Sequence, residues 1–275
     1  MKEALQIAAR ADVIVAALGE CTEMSGESAS RTMLEIPDAQ RDLLKALVKT
    51  GKPVVLLLFT GRPLVLVEES AIVPSILNVW FAGSEAGDAI ADVLFGKVSP
   101  SGKLTTSFPR SVGQLPLYYN SHNTGRPDPD RCTFNRYTSN YLEDSNDPLY
   151  PFGYGLSYTH FRYDDMVLSS NVLKKGGKII VSVTVRNEGG YDGYEVVQLY
   201  LRDIYADVVR PVKELRKFER IFLKKGESRE VKFVIAEEDL KFYNSKLQYV
   251  YEPGDFEVMV GTNSRDVQSK TFFAE

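Results

Sequence analysis

In the first hundred residues the apolar positions come in short unbroken blocks, separated by polar segments with helical spacing. The blocks 11–18 (A-D-V-I-V-A-A-L), 53–59 (P-V-V-L-L-L-F) and 76–82 (I-L-N-V-W-F-A) have strand length and β-branched content. This is the pattern of strands buried on both faces of a parallel sheet. Between the first two, Pro37-Asp38 opens a helix with Leu43, Leu44, Leu47 and Val48 on one face, and Gly51 ends it. After the third, Ala86, Ile90, Val93 and Leu94 share a helix face, with Ser84 as N-cap, Glu85 in the first turn and Gly96 as terminator. Leu5, Ala8 and Ala9 make residues 2–10 helical, whereas 63–74 is ambiguous, with a strand-like L-V-L-V beside a helix-like E-E-S-A-I. The alternation predicts an α/β sandwich: a mostly parallel sheet with helices on both faces.

From about residue 164 the period changes to two. Ile179, Val181, Val183 and Val185 alternate with polar or exposed partners, and Val197, Leu199 and Leu201, then Val231, Phe233 and Ile235, then Phe256, Val258 and Val260 recur at the same period. Turns at 187–190, 224–227 and 253–255 separate them. Short alternating strands over about 110 residues predict an all-β sandwich of the fibronectin type III sort. Between the two regions, 109–150 has no clear period, and a loop of that length is usually functional or disordered. Its aromatic residues (Tyr118, Tyr119, Phe134, Tyr137, Tyr141) argue against disorder. With Arg126, Arg131 and Arg136 among them, they suit either a sugar or simple loop packing. The G-x-G of 153–155 is no dinucleotide fingerprint, because Tyr158 stands where glycine is needed and no helix follows.

Composition narrows the function by exclusion. A net charge of -4 over 275 residues gives no basic face for nucleic acid. No apolar run reaches the roughly 20 residues of a membrane helix. Met1-Lys2-Glu3-Ala4 leads into a helical pattern without a signal peptide. His122 and His160 have no metal-ligand spacing, and no metal or other cofactor is expected. Cys21 and Cys132 are too few for a disulfide scaffold. Both fall in loops expected near the site; two unrelated thiols is the simpler reading, and two thiols close in space the alternative.

The candidate chemistry lies in residues 19–31, G-E-C-T-E-M-S-G-E-S-A-S-R, which leave the first predicted strand. Glu20, Glu23 and Glu27 with Arg31 are placed beyond a strand's carboxyl end, where open α/β sheets bind ligands. A carboxylate beside an arginine there can be tuned for proton transfer, although a solvated acidic loop is the plain alternative. The loops carrying Glu27, Arg62 and Trp80 should open on one sheet edge.

Four segments resemble signatures of glycoside hydrolase family 3: 80–96 (W-F-A-G-S-E-A-G-D-A-I-A-D-V-L-F-G), 100–109 (P-S-G-K-L-T-T-S-F-P), 150–159 (Y-P-F-G-Y-G-L-S-Y-T) and 210–218 (R-P-V-K-E-L-R-K-F). The resemblance implies that residues 1–160 are most of the family's α/β sandwich domain, lacking its first strand, and that 161–275 are its fibronectin type III-like domain. It further implies an amino-terminal TIM barrel outside this chain, which in the family supplies the nucleophilic Asp. The implied activity is retaining exo-hydrolysis of terminal β-D-glucosyl residues. S-G-E-x-x-x-R, here 25–31, makes Glu27 the general acid/base candidate. Arg31, Arg136, Tyr137 and Trp80 are the candidates for substrate binding, with core packing as the alternative for Trp80. The implied partners are a β-glucoside or oligosaccharide and the chain's own barrel, and a homodimer is compatible with the sequence; the implied location is periplasmic or secreted. The chain alone should be nearly inactive, and a non-catalytic carbohydrate-binding or interaction module is the alternative.

Overall fold

The computed structural model describes residues 1–128 and 135–275. They form two compact units. The first comprises 1–95, 108–116 and 148–150, and the second 96–107, 117–147 and 151–275.

In the first unit, α1 (Lys2–Ala8) precedes β1 (Ile14–Gly19), α2 (Asp38–Val48), β2 (Val54–Phe59), α3 (Val67–Ile72), β3 (Ser75–Asn78) and α4 (Ala86–Leu94). The three strands are parallel in the order β1-β2-β3. β2 is central, and its Val54, Leu56, Leu57 and Leu58 are buried, which is why its sequence is apolar without alternation. β1 buries Ile14 and Ala16 and leaves Val15 half exposed, as is Val13 just before it. α2 turns Leu44 and Leu47 inward. From the same helix Arg41 reaches Glu35, Glu68 and buried Glu69, tying α2 to α3. Gly51 and Gly96, both at positive φ, follow α2 and α4 as expected of C-terminal glycines.

Two boundaries differ from the pattern. The third strand stops at Asn78, because Trp80 adopts φ of 56° and ends the extended run. The ambiguous 63–74 resolves to α3, with Leu64 and Leu66 buried ahead of it outside any strand. At α4 the N-cap is Glu85, without a side-chain capping bond.

The second unit is built from β4 (Phe161–Tyr163), β5 (Val167–Leu168), β6 (Val172–Leu173), β7 (Lys178–Asn187), β8 (Gly193–Asp203), β9 (Glu214–Leu223), β10 (Ser228–Ala236), α5 (Glu237–Leu240), β11 (Phe242–Tyr243), β12 (Tyr249–Val250), β13 (Gly254–Gly261) and β14 (Val267–Ala274). One large sheet runs β10-β7-β4, with β5 also on β7; a second runs β6-β14-β13-β8-β9, and β11 and β12 form a small antiparallel pair. The alternating residues of β7, β8, β10 and β13 turn into one shared core, where Phe256 stacks on Phe272 at 5.6 Å. β9 escapes the alternation test because its first seven residues are at most half buried and include five charges (E-L-R-K-F-E-R). Segment 117–128 is fixed to this sandwich. Tyr119 stacks on Phe152 at 4.1 Å, and Val212 N–H donates to Ser121 O. Among the described residues, no helix is long and apolar enough to cross a membrane.

Candidate active site at the strand ends

Parallel strands bring their carboxyl ends to one edge, and the first unit's charged groups concentrate there. Gly19 ends β1 at φ of 136°, with its backbone so close to β2 that an added Cβ would lie 1.9 Å from Phe59 O. Gln40 of α2 clasps that strand end, accepting from Gly19 N–H at 2.7 Å and donating to Gly19 O at 3.0 Å. Glu20 follows with its main-chain N–H donating to Phe59 O at 2.7 Å, which fixes its backbone against the end of β2.

That side chain is fully buried. Arg31 Nη1 donates to Oε1 at 2.7 Å, and Arg62 Nε lies 3.1 Å from the same oxygen. Thr60 Oγ1 and Gly61 N–H donate to Oε2 at 2.9 and 3.2 Å. Burial pushes the Glu20 pKa up, but the hydrogen bonds from Arg31, Thr60 and Gly61 and the Arg62 charge outweigh it and hold the carboxyl below its ordinary value. Glu20 is thus an anchored carboxylate and a poor proton donor near neutral pH.

The loop continues over this anchor. Arg62 Nη2 donates to Met24 O and Ala29 O, and Arg31 Nη2 to Glu35 O at 3.1 Å. Ser25 passes so near Gly61 that a Cβ there would meet Ser25 Oγ at 1.9 Å, which is why the turn after β2 needs glycine. Glu27 lies between Gly26 (φ 118°) and Ser28 (φ 58°), two positive-φ residues in succession around one carboxylate. It is exposed and has no partner among the described residues. Glu23 is also exposed, with its pKa lowered chiefly by a hydrogen bond to Cys21. Cys21 is an exposed free thiol; Cys132, Arg131 and Phe134 lie outside the described residues.

The structure joins Arg31 to Glu20 and brings Arg62 into the same cluster. Trp80 is half buried at the end of β3, its ring 5.8 Å from buried Phe108. Its positive φ is costly for a bulky side chain and is the kind of backbone strain found at functional sites. Phe81, next in the chain, comes within 3.0 Å of a Cβ placed on Gly61. Arg136 and Tyr137 belong to the second unit and are exposed, in a turn where Tyr137 N–H donates to Asn135 Oδ1. Thr60 and Gly61 are members of the site that the sequence pattern marks only as a turn. Their signal was the position of T-G-R directly after a buried strand.

Among the described residues, no group of acidic, histidine or cysteine side chains could hold a metal ion. The loop carries one carboxylate without a partner among the described residues, Glu27, and its main chain is held by two guanidinium groups.

Residues 1–158 match the glycosyl hydrolase family 3 C-terminal domain, and residues 195–264 the fibronectin type III-like domain. The chain belongs to glycosyl hydrolase family 3. It is 53% identical to the periplasmic beta-glucosidase of Salmonella typhimurium, over 98% of this chain and 35% of that protein. To a beta-xylosidase of Formosa agariphila it is 42% identical, over 98% of this chain and 36% of the other. The crystal structure of a beta-glucosidase from Listeria innocua in complex with glucose superposes with a TM-score of 0.94 at 43% identity, covering 99% of this chain and 38% of that one. The chain thus spans little more than a third of the relatives it matches.

Proposed function

We propose that this chain is the acid/base-bearing part of a retaining exo-β-glucosidase, with Glu27 as the general acid/base. The observation that carries the reading is the S-G-E-x-x-x-R loop: an exposed Glu27, without a partner among the described residues, held at a parallel sheet's carboxyl edge in a family 3 chain. Retaining hydrolysis requires two carboxyl groups about 5–5.5 Å apart, one to attack the anomeric carbon and one to protonate the leaving oxygen. Glu27 would supply the second and, after glycosylation, act as base towards water. The nucleophile would come from the barrel that family membership implies. The chain alone would then hydrolyse little, since positioning both groups supplies much of the rate. A β-glucoside or oligosaccharide is the proposed substrate class and a periplasmic or secreted location the proposed setting, both supported by the names of the relatives. Arg136, Tyr137 and Trp80 remain proposed sugar contacts, and 1–160 and 161–275 the proposed sequence domains.

The test uses a complete enzyme: the full gene product, or this chain joined to the amino-terminal part of the Salmonella typhimurium relative. Glu27→Gln is expected to slow disaccharide hydrolysis by about 10²- to 10⁴-fold, and an activated aryl glucoside far less, because only the poor leaving group needs a proton. Azide should restore turnover of the aryl glucoside by Glu27→Ala. Unchanged disaccharide hydrolysis by Glu27→Gln would remove Glu27 from the mechanism.

A further inference from the structure

We propose that Glu20 is a positioning residue for the acid/base loop, holding the main chain on both sides of Glu27 through Arg31 and Arg62. The inference rests on the reading of Glu27 given above and adds the device that sets its place.

The connection is short and fully traced. Glu20 is fixed by its own backbone bond to Phe59 O, and both side-chain oxygens are taken by groups from residues 31 and 60–62. A carboxylate has about four lone-pair sites; three donors fill most of them here, and Arg62 Nε adds a charge contact at 3.1 Å, so the group is committed to the protein. Each arginine then turns its Nη2 to the main chain of the loop. Arg62 Nη2 holds Met24 O and Ala29 O, three residues before Glu27 and two after it. Arg31 Nη2 holds Glu35 O at the loop's far side. The arginine of S-G-E-x-x-x-R is therefore paired with Glu20.

Charge and geometry are both required. In Glu20→Gln the new NH₂ would face guanidinium, hydroxyl or amide donors whichever way the side chain turned, leaving one oxygen for donors that now use two. Lysine at 62 could not span Glu20 and two carbonyls, because it is a point charge and not a fork. Displacing a reacting group by about 1 Å can cost of the order of a hundredfold in rate.

The experiment compares Glu20→Gln, Arg62→Lys and Glu27→Gln in the complete enzyme. Glu20→Gln and Arg62→Lys are expected to lower kcat/KM for a disaccharide by about a hundredfold, with a much smaller loss on an activated aryl glucoside. Azide should accelerate their turnover of the aryl glucoside, since azide needs no base; a loss of folded protein would not respond to azide. Hydrogen exchange on the 275-residue chain gives the second readout: Glu20→Gln should speed amides 22–31 and leave those of β2 unchanged. Equal losses on both substrates without azide response would overturn the proposal. So would wild-type kinetics for Glu20→Gln beside a defective Glu27→Gln, which would leave the acid/base reading intact. A silent Glu27→Gln would overturn that reading, and this inference with it.

Discussion

Each unit buries a glutamate that contacts cationic side chains, and the two are driven in opposite directions. Glu20 in the first unit is held below its ordinary pKa, whereas Glu195 in the second is pushed above it. Burial opposes the charge of both. At Glu195 the compensation is one ammonium, Lys103 Nζ at 3.1 Å, with the Tyr163 hydroxyl donating at 3.2 Å and a contribution from Val196 N–H. At Glu20 two guanidinium groups, a hydroxyl and an amide converge. The cause is position in the fold. Glu20 lies past a strand's end, where main-chain N–H groups and side chains are free to turn towards it. Glu195 lies within β8, paired with Ile221 of β9, where most nearby main-chain groups serve the ladder. Strand ends can therefore stabilise an anion that a strand interior keeps only reluctantly, one physical reason that chemistry gathers at such edges.

The largest test of this contrast after the kinetic ones is Arg62→Ala. It strips a cation from a buried carboxylate and two carbonyls of their donor, and is expected to destabilise the first unit by about 3–5 kcal/mol. Denaturation followed by Trp80 fluorescence would measure it, since this lone tryptophan lies in that unit. Lys103→Met should cost the second unit less, about 1–3 kcal/mol by hydrogen exchange of β7 and β8, because burial raises the Glu195 pKa and so makes taking up a proton less costly there than at Glu20. Equal losses in the two variants would erase the contrast.

The smallest effect is on pH dependence, and it has opposite signs in the two units. Glu20 has a folded pKa below the ordinary 4.5, so its stabilisation is present above that pH and fades as pH falls through the folded value. Glu195 has a raised folded pKa, so its contribution is present below 4.5 and fades as pH rises. Asp203 adds to the second trend: burial pushes it from 3.8 to about 6, and Arg210 only partly offsets that. Denaturation between about pH 3 and 7 should show the first unit weakening towards acid and the second towards neutrality, with Glu20→Gln and Glu195→Gln each flattening one slope.

Much of the fold was legible in the chain. β2 matched its apolar block within a residue, because a strand buried on both faces has no polar alternation to obscure it. The alternating runs of β7, β8, β10 and β13 were equally plain, as each faces one shared core. β9 was hidden by its charges, and the end of β3 by a tryptophan whose backbone no propensity predicts. Within the site, Glu27 and Arg31 could be picked out as a spacing. Arg31 could position Glu27 or a sugar hydroxyl or simply form an ion pair, and in the structure it pairs with Glu20.

Sequence by itself determined the strand blocks, the glycines that end helices and turn strands, and the loop that carries the carboxylates. These are local matters, set by side-chain period and backbone freedom. Tertiary structure decided which carboxylate is anchored and which is free. Thr60, Gly61 and Arg62 are about forty residues from Glu20 along the chain, and they reach it because β1 and β2 run parallel and end together. Charges of opposite sign are common in any loop, and which of them pair depends on strand order and register, which no local pattern encodes.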